Sequence, residues 1–356
     1  MAITNVLSAI SRLARPAAKA WARRGFFNQP DWTKIQPARV ALVACHWIGD
    51  TFWASQTLPA LKERFARSEF FVFTKSACLD LWYGQIEPQN VLPADAIVSD
   101  RRRERVSFGA ISKFAKRFRA KDLDLVIDLT GNRYSALSSF LLRPGWALGF
   151  CGNELGWIYT HKVPNARRPG VHLSQQPFRV IEPLLAGTDQ PFRWTDKPVT
   201  PALLTSCGDV RAELGLDADC RYAVLAPGAG WPAKRWPAER FMQVGRLIAQ
   251  RDWRVIVIGS SAELALCERI AGQIPAGLCQ VGRPLGWVIA LLDQAGAVVC
   301  NDSGIGHLSA VMGRPTAVVF TSATNPDDCG PLGPEKLVKI FRQPVGPEGV
   351  VSALIG

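Results

Sequence analysis

The chain has 356 residues, 48% of them hydrophobic and 20% charged, with a formal net charge of +12. That is enough chain for two domains with full cores, and it excludes a weakly hydrophobic, disordered polymer. No run approaches the roughly 18 apolar residues of a membrane-crossing helix, Met1 to Trp21 lacks the apolar core and cleavage site of a signal peptide, and nine scattered cysteines without a C-x-x-C pair point to a reducing compartment rather than a structural zinc site.

The positive charge is local. Residues 1–38 hold six Lys/Arg against one acid, Asp31, and residues 101–121 hold nine against one, Glu104. Such patches favour an anionic surface or ligand. Within 1–27, Val6, Ile10, Leu13, Ala17 and Trp21 recur at near-helical spacing among five arginines and lysines. The segment reads either as a basic amphipathic helix on a membrane, kinked at Pro16, or as a docked terminal extension.

From Arg39 a strand-loop-helix alternation begins. Val40 to Ala44 is a buried strand, Ile48-Gly49-Asp50-Thr51 the turn after it, and a helical stretch runs on through Arg64. Phe70 to Phe73 and Ala96 to Val98 are the next strands. In 101–121 an apolar stripe of Phe108, Ile111, Ala115 and Phe118 predicts a helix packed on the sheet, with Lys113, Lys116, Arg117 and Arg119 on a face that is either simply solvated or binds a membrane or acceptor. Leu125 to Leu129 is a strand leading into Thr130-Gly131-Asn132-Arg133, which makes Asn132 and Arg133 candidates for substrate contact.

Around 186–201 the pattern fades into Gly187, Pro191, Pro198 and Pro201, an interdomain linker. A second alternation follows: a strand at Tyr222 to Leu225, a long loop from Ala226 to Pro237, a helix at 238–250, a strand at Val255 to Ile258, Glu263 just inside the next helix, and a helix at Leu285 to Asp293.

The stretch from Ala297 to Phe320 carries the strongest chemistry. An apolar strand, Ala297 to Cys300, breaks into Asn301-Asp302-Ser303-Gly304-Ile305-Gly306; a helix restarts at His307, and Thr316 to Phe320 is the next parallel strand. A helix starting at the carboxyl end of a strand presents unpaired N–H groups to a phosphate or diphosphate. Ser303 and Gly304 let the backbone approach, and His307 adds a donor. Asp302 would repel phosphate unless it holds a metal, a sugar hydroxyl or the loop itself. The plainer alternative is that Asp302 or Ser303 caps the helix and His307 is structural.

Two alternations joined by a proline-rich linker predict an α/β protein of two Rossmann-like domains facing across a cleft. Neither half carries G-x-G-x-x-G or a P-loop, which argues against a nicotinamide oxidoreductase and an ATPase. The expected divisions are a basic extension at 1–38, a first domain at 39–190, a linker at 191–205 and a second domain at 206–356.

Three motifs in this order resemble the heptosyltransferase-type inverting glycosyltransferases of glycosyltransferase family 9, which have the GT-B fold. They are Ile48-Gly49-Asp50-Thr51 with Leu58-Pro59-Ala60-Leu61-Lys62, Pro227-Gly228 through Lys234-Arg235-Trp236-Pro237, and Asp302-Ser303-Gly304-Ile305-Gly306-His307-Leu308 through Gly330-Pro331-Leu332-Gly333. The resemblance spans roughly 39–341. It implies a first domain that binds a phosphorylated glycolipid acceptor and a second that binds an ADP-sugar, with heptose transferred to the lipopolysaccharide inner core by a cytoplasmic enzyme peripheral to the inner membrane.

By the same resemblance Asp50 is the catalytic base. Gly228, Ala229, Gly230, Lys234, Glu263, Asp302, Ser303, Gly304 and His307 form the donor and diphosphate set; Trp47, Gly49, Thr51, Asn132 and Arg133 form the acceptor set. No metal ligand cluster is expected and no cofactor is required, though Asp302 leaves Mg²⁺ open. The chain departs from the family at Cys45-His46-Trp47, where small polar residues are usual; at Ala229-Gly230, where hydroxyl side chains are usual; and at Phe320-Thr321, where glycine follows phenylalanine. The alternatives are another sugar nucleotide or non-lipid acceptor on the same fold, and a catalytically silent glycolipid-binding protein. The basic segments lack the aromatic stacking motifs of nucleic-acid binders, so no nucleic-acid partner is expected.

Overall fold

The computed structural model describes residues 31–95, 108–119, 121–150, 158–163, 172–185 and 209–355. The expected helix within 1–27, the strand at 96–98, Arg101 to Arg103 and the linker at 191–205 lie outside the described residues.

The chain groups into two compact units. The first comprises Met1–His46, Trp53–Arg168 and Ser174–Trp194; the second comprises Trp47–Phe52, Pro169–Leu173 and Thr195–Gly356.

The first unit carries strands β1 (Arg39–Ala44), β2 (Glu69–Thr74), β3 (Val91–Pro93), β4 (Leu125–Asp128), β5 (Trp146–Phe150) and β6 (His161–Val163). Its helices are α1 (Ile48–Ser55), whose first turn belongs to the second unit, α2 (Leu58–Arg64), α3 (Phe108–Arg119), α4 (Arg133–Leu141) and α5 (Gln176–Ile181). All neighbouring strands pair parallel, in the order β3-β2-β1-β4-β5-β6. Val40 to Ala44 are wholly buried, as a strand covered on both faces must be. Each such valine or leucine contributes roughly 1.5–3 kcal/mol of transfer energy.

The second unit contains α6 (Val210–Glu213), β7 (Tyr222–Ala226), α7 (Ala238–Ala249), β8 (Arg254–Gly259), α8 (Leu264–Ala271), β9 (Leu278–Val281), α9 (Leu285–Asp293), β10 (Ala297–Asn301), α10 (Gly304–Val311), β11 (Thr316–Phe320), α11 (Pro326–Cys329), β12 (Val338–Arg342) and α12 (Pro347–Ile355). Its sheet is also parallel, ordered β12-β11-β10-β7-β8-β9. Counted from its own first strand, this is the strand order of the first sheet. Both are doubly wound, and each reverses direction once, between β1 and β4 and between β7 and β10. Open α/β sheets bind ligands at the carboxyl ends of the strands flanking that switch.

Several local expectations change. The helix expected from His307 begins at Gly304, because Ser303 in extended conformation is already its N-cap. The helical stretch expected through Arg64 is two helices, parted at Gln56 and Thr57, since Pro59 at the start of α2 has no N–H to carry the hydrogen-bond ladder back to the Ser55 carbonyl. Ile48 to Thr51, expected as a turn, are the first residues of α1. Glu263 lies not inside a helix but at the N-cap of α8, closing a single 3-10 turn. In α3 the described buried side chains are Phe114 and Phe118, packed edge-on to Phe73. Phe114 was not in the expected stripe, whereas Lys113, Lys116, Arg117 and Arg119 are exposed as expected. The short strands β3, β6, β9 and β12 had no clear signal, being brief or half-exposed.

Candidate active site

In the second unit the loops after β7 and β10 meet at the switch point. Asn301 ends β10 fully buried, and its amide bridges the two ends of the β7 loop: Oδ1 accepts from the Trp236 backbone N at 2.9 Å and Nδ2 donates to the Pro227 carbonyl at 2.7 Å. The loop between them, Gly228 to Arg235, is thereby held against β10. Its one-turn 3-10 segment, Pro232–Lys234, delivers Lys234.

The Lys234 ammonium reaches Asp302 Oδ2 at 2.6 Å; the two side chains are 13% and 6% exposed. Thr324 Oγ1 donates to the same carboxylate oxygen, also at 2.6 Å, and the Trp231 ring lies 4.3 Å from the ammonium. Ser303, not Asp302, is therefore the N-cap of α10; the Asp302 carboxylate has another partner. It holds the lysine. Ser303 occupies the N-cap position but makes no side-chain capping bond, so the first N–H groups of α10 keep their capacity for an anion.

Glu263 is committed in the same way. Its Oε2 accepts from the Ser260 backbone N at 3.0 Å and from Ser260 Oγ at 2.8 Å, while Oε1 faces Arg235 at 3.4 Å. Gly228 runs so close to this carboxylate that an added Cβ would sit 2.3 Å from Oε1. Ala229 is buried and Gly230 half-buried. Neither supplies a hydroxyl, so the loop offers an anion only backbone N–H groups there.

The first turn of α1 abuts the first turn of α10. A Cβ on Gly304 would come 2.7 Å from Ile48 Cβ and 2.9 Å from the Gly49 backbone N, and one on Gly49 would meet His307 Cδ2 at 2.8 Å. Two glycines thus allow two helix starts to touch. Asp50 is the third residue of α1, half-buried, where a carboxylate complements the helix dipole; it is not an N-cap. Thr51 is fully buried, and Trp47 is 40% exposed just before the helix. Gly304→Ala is expected to destabilise the protein by about 1–3 kcal/mol, because backbone cannot yield as a side-chain tip can. Gly230→Ala, with nothing within 4 Å of its added Cβ, is the silent control in a denaturant titration.

His307 sits 8% exposed at this contact. Burial lowers its pKa from 6.5 to about 4; Asp302 and Asp50 oppose the shift, while His172 and Lys234 add to it. The ring is therefore neutral at pH 7 and acts as a neutral donor or acceptor. Since the folded value is depressed, between about 6.5 and 4 the unfolded chain takes up a proton that the folded chain refuses. Stability then falls as pH drops through this window, by roughly 3 kcal/mol in all, and this loss stops below it. The difference in unfolding free energy between wild type and His307→Gln should be flat above pH 6.5 and slope below it.

The family model described as glycosyltransferase family 9 (heptosyltransferase) matches residues 111–347. The chain belongs to glycosyltransferase family 9. Among its relatives, lipopolysaccharide heptosyltransferase 1 of Pseudomonas aeruginosa is 28% identical over 83% of this chain and 81% of that protein. Lipooligosaccharide heptosyltransferase 2 of Haemophilus ducreyi is 23% identical over 84% and 88%. The solved E. coli ADP-heptose lps heptosyltransferase II superposes with a TM-score of 0.74 at 18% identity, covering 89% of this chain and 97% of that one. The fold is accordingly the GT-B fold of family 9, and the chain is a glycosyltransferase of the heptosyltransferase type.

On this family 9 frame the expected donor residues Gly228, Ala229, Gly230, Lys234, Glu263, Asp302, Ser303, Gly304 and His307, with Asp50, Gly49, Trp47 and Thr51, all fall in the second unit. Asn132 and Arg133 fall in the first. There Asn132 is the N-cap of α4, its Oδ1 accepting from Tyr134 N and Ser135 N in a capping box, and Arg133 is the first residue of that helix. Its cap role leaves Asn132 little to offer a substrate beyond its amide N–H₂.

Asn301, Thr324 and Thr130 were not among the expected site residues. Thr130 joins the switch-point loops of the first sheet: Oγ1 accepts from Cys45 N at 2.8 Å and donates to the Val43 carbonyl at 3.0 Å, and the Thr130 carbonyl faces His46 Nε2 at 2.8 Å. Asp128, wholly buried and with its carboxyl pushed up by burial, accepts from Thr130 N, Gly131 N and the Tyr159 hydroxyl. An asparagine or aspartate closing an apolar strand is the one signal that could have found Asn301 and Asp128.

Proposed function

We propose that the chain transfers a heptose from ADP-heptose, with inversion, to a hydroxyl of the lipopolysaccharide inner core or a related glycolipid. The observation that carries this is the buried Lys234–Asp302 pair beside the uncapped start of α10, in a chain whose relatives include lipopolysaccharide heptosyltransferases. In this reading residues 39–190 bind the acceptor and residues 206–356 the donor.

Asp50 takes the proton of the acceptor hydroxyl as its oxygen attacks the anomeric carbon. The bond from that carbon to the diphosphate oxygen breaks, and the electron pair leaves with ADP. The charge growing on the diphosphate is met by the Lys234 ammonium and the N–H groups at the start of α10. Glu263 faces the nucleoside, and Trp47, Gly49, Thr51, Asn132 and Arg133 border the acceptor. Neutral His307 adds no fixed charge, so the cation that offsets Asp302 beside the diphosphate is Lys234.

The test is calorimetric affinity for ADP, UDP and GDP, with and without Mg²⁺, followed by turnover of ADP-heptose on core glycolipid. Preference for ADP supports the reading. Preference for UDP or GDP moves the donor to another sugar nucleotide, and no binding leaves the chain a silent relative.

The same reading places the enzyme at the cytoplasmic face of the inner membrane, on anionic lipid and not on nucleic acid. Among the described residues no helix is long and apolar enough to cross a membrane, while α3 exposes Lys113, Lys116 and Arg117. Each such cation near an anionic surface contributes about 1 kcal/mol. Alanine at all three should cut co-sedimentation with phosphatidylglycerol vesicles at least tenfold; unchanged sedimentation removes this surface from the account.

A further inference from the structure

Lys234 is held at more points than an ion pair needs. The loop after β11 grips it twice. Thr321 Oγ1 donates to the Ala233 carbonyl at 2.7 Å, one residue before the lysine. The same oxygen accepts from Ala323 N at 3.1 Å, which orients the hydroxyl proton toward Ala233. Three residues on, Thr324 Oγ1 donates to Asp302 Oδ2, the very oxygen that Lys234 contacts.

We propose that Thr321 and Thr324 are positioning residues forming a clasp around the lysine: Thr321 fixes the turn that delivers it, and Thr324 governs how tightly Asp302 retains it. The proposal rests on the reading of Lys234 as the donor diphosphate contact.

A free lysine side chain loses rotamer entropy when it is fixed. Here the backbone is tied by Thr321, the head by Asp302, and one flank is covered by Trp231. Most of that entropy is already spent before a ligand arrives.

A buried carboxylate with one donor holds that donor hard, because leaving it alone is costly. With Thr324 also donating, Asp302 keeps a partner when the ammonium turns to a phosphate oxygen. Thr324 thereby makes Lys234 available. Without the hydroxyl, Asp302 is left with the ammonium and the Cys329 thiol 4.0 Å away, and the incoming diphosphate must compete for the lysine.

The experiment measures ADP affinity by calorimetry and steady-state parameters for the donor in Thr324→Val, Thr324→Ser and Thr321→Val, with Lys234→Ala alongside. Thr324→Val should weaken ADP binding about tenfold, as expected for a hydrogen bond to a charged group, and Thr324→Ser should restore it to within about twofold of wild type. Thr321→Val should raise the donor KM about fivefold while the acceptor KM stays put, an effect of misplacing the lysine that general loosening would not confine to one substrate. A Thr324→Val protein that is folded by near-UV circular dichroism and binds ADP like wild type overturns the clasp. If Lys234→Ala also binds ADP normally, the reading of Lys234 itself has failed; if Lys234→Ala is impaired and the threonine variants are not, only the clasp has.

Discussion

Lys234→Ala is expected to lower kcat/KM for the donor by a factor of about 10²–10³ and to weaken ADP by more than tenfold. Two effects add. The ammonium that would meet the leaving diphosphate is gone. Asp302, 6% exposed, then keeps Thr324 but no cation, so an uncompensated carboxylate faces the incoming anion. At about 4 Å and an effective dielectric near 20, that repulsion is on the order of 4 kcal/mol. The second effect can be separated from the first. Asp302→Asn placed on Lys234→Ala removes the repulsion, and should recover part of the ADP affinity without restoring turnover. A single variant that binds and turns over within about threefold of wild type would falsify the assignment of Lys234.

Asp50→Asn should lower kcat by about 10²–10⁴, with ADP affinity unchanged or slightly improved. Asparagine matches aspartate in shape and leaves the first turn of α1 in place, losing only the favourable charge at a helix start, worth about 0.3–1 kcal/mol. The loss should therefore appear in turnover, with at most a small fall in the unfolding midpoint. Product formation from ADP-heptose is read by chromatography beside the calorimetric titration. If activity survives, the proton goes elsewhere; if ADP affinity falls in step with activity, Asp50 acts on the donor.

Much of the frame was legible because buried parallel strands must be apolar on both faces. Val40 to Ala44, Tyr222 to Ala226, Ala297 to Cys300 and Thr316 to Phe320 stand out in the sequence for that reason, and the motifs at 48–51, 227–237 and 302–308 each fall at a strand end. The starts of α1 and α10 were placed too late. Gly49 and Gly304 read as loop formers when taken singly; both lie in helices, and they are glycines because a Cβ on Gly49 would strike the His307 ring and one on Gly304 the Ile48 side chain and the Gly49 backbone.

Residue types and their order along the chain were enough to determine the α/β class and the two alternations and to single out Asp302 and His307, since period and turn chemistry are local properties; Lys234 and Asp50 became candidates through the resemblance of their motifs to family 9. Only the tertiary structure decided what those residues do to one another. That Asp302 holds Lys234, that Asn301 ties both ends of the β7 loop, and that Thr321 and Thr324 close on the pair from the next strand all depend on the strand order that sets β10 between β7 and β11. Polar side chains of this kind are chosen for partners far away in sequence, and no local pattern records them.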